Sequence, residues 1–217
     1  MTDLDPSPAL VPPPVRVWGV PFAPLTLDSW VEVVDALIAR GEPSYFITAN
    51  LHYVMLTHQN PDLAAINRGA AFILADGAPI VKAARELPTP LPERVAGSDL
   101  IFHLCERAAR KGHRIFLLGA PPGVAEEAAA ALVAKYPGLM IAGTACPPFR
   151  KLSDAEHEAL LDEIRAARPD VLFIAFGQPK GERWIAENVA RVGVPVAVQV
   201  GASLEFAAGR LARAPRW

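Results

Sequence analysis

A carboxylate followed by a glycine closes a short apolar run at Asp76-Gly77. An aspartate at such a tip can act as a general base and take the proton from a hydroxyl nucleophile. It can equally cap the helix that follows. Thr48-Ala49-Asn50 sets a hydroxyl and a carboxamide after another apolar run, suited either to a polar ligand or to a helix cap. Arg94, in Arg94-Val95-Ala96-Gly97, has only Glu93 as an acidic neighbour. Its guanidinium suits bidentate phosphate binding, and a solvated loop charge is the plainer alternative. Gly119-Ala120-Pro121-Pro122-Gly123 leads into a helix whose first amides are free, which makes either a phosphate cradle or a tight turn. Gln178, Lys180 and Glu182 gather a carboxamide, an ammonium and a carboxylate in one turn, where Glu182 could also simply favour a helix macrodipole. Gly201-Ala202-Ser203 follows the last apolar run.

Other chemistries lack their residues. No G-x-G-x-x-G fingerprint and no P-loop Lys-Ser/Thr occur, which weakens a nicotinamide-dependent oxidoreductase as a rival reading. No G-x-S-x-G elbow occurs either. His52, His58, His103, His113 and His157 are scattered without metal spacing and read as core or surface residues. The one D-x-D, Asp3-Leu4-Asp5, lies in a Pro-rich tail. Cys105 and Cys146 are too few for a disulfide scaffold or a Cys-rich zinc site, and they fit a reducing cytoplasm. Neither a metal nor a cofactor is expected.

Elements that alternate in type must position these residues. Helical spacing runs over Leu27–Arg40, His52–Asn67 (interrupted at Pro61), Pro79–Leu87, Gly123–Tyr136 and Gly181–Val192. Ser98 is a candidate cap for a helix to Lys111, and Ser153 with Glu156 forms a capping box for a helix to about Arg168. Short apolar runs at Val15–Val20, Tyr45–Thr48, Ala71–Ala75, Arg114–Leu118, Met140–Ala142, Asp170–Phe176 and Val194–Val200 read as strands or strand-like runs. Strands apolar throughout, alternating with helices, predict an α/β fold with a mostly parallel sheet covered on both faces. Ligands then sit outside the carboxyl ends of the strands, where the residues named above fall.

The 217 residues are 52% hydrophobic and 20% charged, enough for one domain with a sizeable core. Residues 1–14 are expected to be a disordered tail, and 15–217 a single domain. Against 23 acidic residues stand 21 Lys and Arg, so a general nucleic-acid binder is not expected. No apolar run approaches the roughly 18 residues of a spanning helix. The N-terminus lacks the basic and apolar regions of a signal peptide. Arg210, Arg213 and Arg216 would fall near one face if that segment turns helically, either as a solvated terminal stretch or as the root of a basic element that meets diphosphate or anionic lipid.

The motifs in order are more specific than any one of them. Thr48-Ala-Asn50, Ala75-Asp-Gly77, Glu93 to Asp99, Phe116-Leu-Leu-Gly119, Tyr136-Pro-Gly138, Gly177 to Glu182, Val200-Gly201, and Ala208-Gly209 through Trp217 together resemble the WecG/TagA/CpsF family of bacterial glycosyltransferases. The resemblance covers residues 15 to 217. It implies a Rossmann-like fold and an inverting, metal-independent transfer of a sugar, typically N-acetylmannosamine, from a UDP donor. The implied acceptor is a polyprenyl-diphosphate-linked N-acetylglucosamine at the cytoplasmic membrane face, where the enzyme would be peripheral and could be a homo-oligomer. Asp76 matches the family's general base, and Thr48, Asn50 and Arg94 match its binding residues. Gly119, Gln178, Lys180, Glu182 and Gly201 join them as candidate substrate contacts. Two departures stand out. Gly181 occupies a position where the family usually has a substrate-contacting Gln, for which Gln178 is a candidate substitute. Family members usually continue past the position of Trp217 into a C-terminal helical appendage, which is expected to be absent or truncated here. Alternative readings are a UDP-glucose or UDP-N-acetylglucosamine donor, or a non-catalytic nucleotide-sugar or polyprenyl-binding module.

Overall fold

A computed structural model describes residues 11–212. Six strands form one sheet: β3 (Ser44–Ala49), β4 (Ile73–Ala75), β5 (Arg114–Gly119), β6 (Met140–Ala145), β7 (Val171–Ala175) and β8 (Val196–Gln199), in the order β4-β3-β8-β7-β5-β6. Every pairing in it is parallel. Side-chain alternation sends Phe46, Leu117, Phe173 and Val198 to one face and Ile47, Leu118, Ile174 and Ala197 to the other. Both sets are buried, which is why these strands read as continuous apolar runs.

Helices cover both faces. On the first lie α1 (Ser29–Arg40), α5 (Gly97–Lys111), α6 (Val124–Lys135) and α9 (Ser203–Ala207), anchored by residues such as Trp30, Leu104, Leu132 and Leu204. On the second lie α2 (Leu51–Gln59), α3 (Pro61–Gly69), α4 (Ala78–Ala84), α7 (Asp154–Ala167) and α8 (Lys180–Val192), through Tyr53, Leu63, Ile80, Leu161 and Ile185. Burying each such side chain contributes about 1.5–3 kcal/mol.

Local rules explain most boundaries. The interruption expected at Pro61 is a clean break, with Asn60 extended and Pro61 opening α3. The Ser153/Glu156 capping box forms with both reciprocal bonds. The run Val15–Val20 divides into a hairpin, β1 (Val15–Val17) and β2 (Val20–Phe22). Trp18 and Gly19 both take positive φ, as a two-residue type I′ turn requires. The hairpin packs its valines and Phe22 on the second face.

Ser98 is not the cap of α5. The cap position falls two residues earlier, at Ala96, and α5 begins at Gly97 with no local side-chain cap. The short α9 had no periodicity long enough to announce it. Val11, in the stretch expected to be a tail, packs on the first-face core, while residues 1–10 lie outside the described residues. Of the arginine trio, Arg210 pairs with Glu127 across to α6, and Arg213 and Arg216 lie outside the described residues. Among the described residues no helix is long and apolar enough to cross a membrane.

Candidate active site

The carboxyl ends of β3, β4 and β8 open onto a cavity of about 380 Å³ lined by Thr48, Asn50, Asp76, Gln178, Gln199 and Gly201, among others. Backbone pairing carries Asp76 into it. The Asp76 amide donates to Ala49 O at 2.9 Å, extending the β3–β4 register one step beyond the strands. On the other side of β4, the Val95 amide donates to Ala75 O at 3.0 Å. That bond lays the 94–96 segment along the sheet edge and delivers the start of α5 to the aspartate.

The Asp76 carboxylate accepts a hydrogen bond from the Gly97 amide at the N-terminus of α5. This explains why α5 needs no local cap: a carboxylate from another segment meets its free donors and its positive dipole end. The cap role considered for Asp76 is therefore real but remote. The helix that follows it in sequence, α4, has Gly77 at its cap and no side-chain cap bond. Gly97 must be small. A Cβ there would lie 3.0 Å from Asp76 Oδ2 and 3.3 Å from Thr48 Oγ1.

Burial pushes the Asp76 carboxyl above the usual aspartate range, and Asp99 adds to the rise. The Gly97 hydrogen bond and the Arg94 charge pull against it without cancelling it. A carboxylate raised in this way is a better proton acceptor. Arg94 itself is exposed and acts on Asp76 through its field. Thr48 is buried at the end of β3, with Oγ1 3.5 Å from Gln199 O. Asn50 caps α2, its Oδ1 accepting from the Tyr53 amide at 2.9 Å, which leaves its amide nitrogen outside the cap.

Gln178 ties the β7–α8 turn to β3. Its Nε2 donates to Thr48 O at 3.0 Å and to Glu182 Oε1 at 2.8 Å. Glu182 is 1% exposed and stands behind Gln178 rather than in the cavity wall. Burial raises its carboxyl to about 7, although the Gln178 bond lowers it. Gly181 is explained sterically. A Cβ on it would fall 2.5 Å from Gln199 Cδ and 2.6 Å from its Oε1, so the Gln199 side chain occupies the space a residue at 181 would use.

A second cavity, about 570 Å³, opens at the ends of β5 and β7 and is lined by Gly119, Phe149, Arg150, Phe176, Lys180 and Trp184, among others. From β5 the chain proceeds outward to β6, and from β7 it proceeds the other way to β8, so this crevice lies at a topological switch point. Gly119 has φ 96°, and a Cβ on it would strike the Phe176 ring at 2.8 Å. Phe176 and Trp184 meet edge to face, with centroids 5.9 Å apart. The 177–180 turn separates the two cavities, presenting Gln178 to one and Lys180 to the other.

The fold thus brings Thr48, Asn50, Asp76, Gln178 and Gly201 into one cavity and Gly119 and Lys180 into its neighbour, with Arg94 and Glu182 outside both linings. Sequence reasoning gave no site role to Gly97 and Gln199, read His52 as a core or surface residue, and met Ser203 only as the end of the Gly201-Ala202-Ser203 motif, and all four lie in the Asp76 cavity. Position directly after a strand or at a helix start was the available signal for Gly97 and Ser203. Gln199 had none, because it lies inside a β-branched run. Among the described residues, no three or more His, Cys, Asp and Glu side chains come together as a metal site.

The sequence profile of the glycosyl transferase WecG/TagA/CpsF family matches residues 15–217. Three relatives, from Staphylococcus aureus strains NCTC 8325 / PS 47, COL and MRSA252, are each named N-acetylglucosaminyldiphosphoundecaprenol N-acetyl-beta-D-mannosaminyltransferase. Each is 35% identical over 206 residues, covering 93% of this chain and 78% of the relative.

Proposed function

This chain belongs to the WecG/TagA/CpsF family of glycosyltransferases, and from that premise we propose that it transfers an N-acetyl-β-D-mannosaminyl group from a UDP donor to N-acetylglucosaminyl-diphospho-undecaprenol, with Asp76 as general base. The observation that carries the reading is the Asp76 carboxylate, half-buried at the tip of β4, held by the Gly97 amide and open to a cavity of sugar size. The relatives' printed name supplies the substrates of the proposal.

In this mechanism the acceptor hydroxyl oxygen attacks the donor's anomeric carbon from the face opposite the diphosphate. The new C–O bond forms as the bond from that carbon to the phosphate oxygen breaks, and UDP leaves with the electron pair. The hydroxyl proton passes to Asp76. Thr48, Asn50, Gln178 and Gly201 hold the sugars around it. The switch-point cavity takes the UDP half, with its aromatic walls toward the base and Lys180 toward the diphosphate, and Gly119 allows the close approach. Arg94 adds positive charge on the other side. Cations and amides then carry the charge that a metal would otherwise balance. A polyprenyl acceptor places the enzyme peripherally at the cytoplasmic face of the membrane.

The test is a turnover screen of UDP-N-acetylmannosamine, UDP-N-acetylglucosamine and UDP-glucose against a short-chain lipid-diphospho-N-acetylglucosamine, with the product anomer read by NMR. A β-linked N-acetylmannosaminyl product supports the proposal. UDP binding without turnover of any donor would make the chain a binding module instead.

A further inference from the structure

Gln199 is 2% exposed at the end of β8, yet it lines the Asp76 cavity. Its Oε1 accepts from the Phe176 amide at 3.4 Å, which orients the carboxamide. Its Nε2 is buried and has no hydrogen-bond partner among the described residues. Leaving such a donor unpaired is costly, and the residue that carries it is one of those lining the cavity. The chain also keeps position 181 free of a side chain, with the ideal Cβ only 2.5 Å from Gln199 Cδ. Gly181 lies in the first turn of α8, where an alanine would favour the helix. The glycine thus forgoes helix stability and leaves room for this carboxamide.

We infer that Gln199 is a substrate-binding and specificity-determining residue, whose Nε2 donates to the acetamido carbonyl of an N-acetylhexosamine bound in the Asp76 cavity. The inference rests on the proposed sugar-transfer reading of that cavity. Two N–H groups with no acceptor function match a carbonyl oxygen, which only accepts, better than they match a hydroxyl, which must also donate. The diphosphate is the poorer partner for a neutral amide, since the cations Lys180 and Arg94 lie elsewhere around the site. Either the donor sugar or the acceptor sugar could supply the acetamido group.

Calorimetric titration distinguishes the sources without needing turnover. Wild type, Gln199→Met, Gly181→Ala and the double variant are titrated with UDP-N-acetylmannosamine and UDP-mannose. They are also titrated with short-chain lipid-diphospho-N-acetylglucosamine and its glucose counterpart. Gln199→Met keeps the side-chain volume and removes the donor. It should weaken one acetamido ligand about three- to tenfold, the range of one uncharged hydrogen bond, and leave the matching non-acetamido ligand unchanged. Which ligand responds identifies the sugar. Gly181→Ala should give the same selective loss, and the double variant should lose no more than either alone. An equal loss for acetamido and non-acetamido ligands, no loss, or additive losses would overturn the assignment. Wild-type turnover is measured in parallel. Its absence would defeat the transferase reading while the selective binding loss would still stand.

Discussion

Gly97→Ala perturbs the proposed base without touching it. The new methyl would lie 3.0 Å from Asp76 Oδ2 and 3.3 Å from Thr48 Oγ1, so at least one neighbour must retreat by a few tenths of an ångström. Thr48 is 7% exposed and fixed in a parallel strand, so the carboxylate is the group that moves. Its hydrogen bond from the Gly97 amide then lengthens or turns. Overpacking of this kind costs about 1–3 kcal/mol. Replacing a helical glycine by alanine returns roughly 0.5–1 kcal/mol. The net loss of stability is therefore at most about 2.5 kcal/mol, under about 10 °C in Tm for a chain of this size. Misplacing a base by a fraction of an ångström to an ångström costs up to about 10² in rate. The expected result is a folded protein with kcat reduced roughly 10- to 100-fold and KM for the UDP-sugar changed much less. Circular dichroism melts and steady-state kinetics on the same preparation separate the two effects. A Gly97→Ala enzyme with kcat within twofold of wild type would refute the reasoning, because the clamp on Asp76 would then not matter.

Arg94→Ala removes a charge that lowers the Asp76 carboxyl, so the acidic limb of the kcat/KM–pH profile should move to higher pH; an unmoved limb would separate Arg94 from the base. Glu182 binds its proton more tightly folded (about 7) than its ordinary 4.5, so its contribution to stability is full below about pH 4.5 and is lost as pH rises through 7. Glu182→Gln should therefore gain on the order of 3 kcal/mol relative to wild type between pH 4.5 and 8 in urea unfolding, and a pH-independent difference would contradict this. EDTA should leave turnover unchanged, and a loss restored by Mg²⁺ or Mn²⁺ would end the metal-independent mechanism.

The sheet was legible because most of its strands are buried on both faces and so carry unbroken apolar runs, Val171–Ala175 being the clearest, whereas the edge strand β6 is only partly buried. The capping box and the break at Pro61 were legible because they depend on neighbouring residues. The Trp18-Gly19 turn and the start of α5 were not. The first depends on two left-handed residues inside an apolar run, and the second on a carboxylate twenty-one residues upstream. The same limit applies to the site. Strand ends pointed to Thr48, Asp76 and Gly201, whereas Gln199 looks like one more strand residue until Gly181 is seen against it. Glu182 shows the converse: its position in a strand-to-helix turn suggested contact with substrate, and its side chain is buried behind Gln178.

Single-turnover transfer by Asp76→Asn, measured beside its affinity for UDP, tests the central claim most directly. The substitution keeps the shape and an acceptor oxygen for the Gly97 amide while removing the proton-accepting charge. The account predicts a rate lower by about 10²–10⁴, the usual contribution of a general base, with UDP binding within a few-fold of wild type. Transfer at a near wild-type rate would show that the proton leaves by another route and that Asp76 only caps α5.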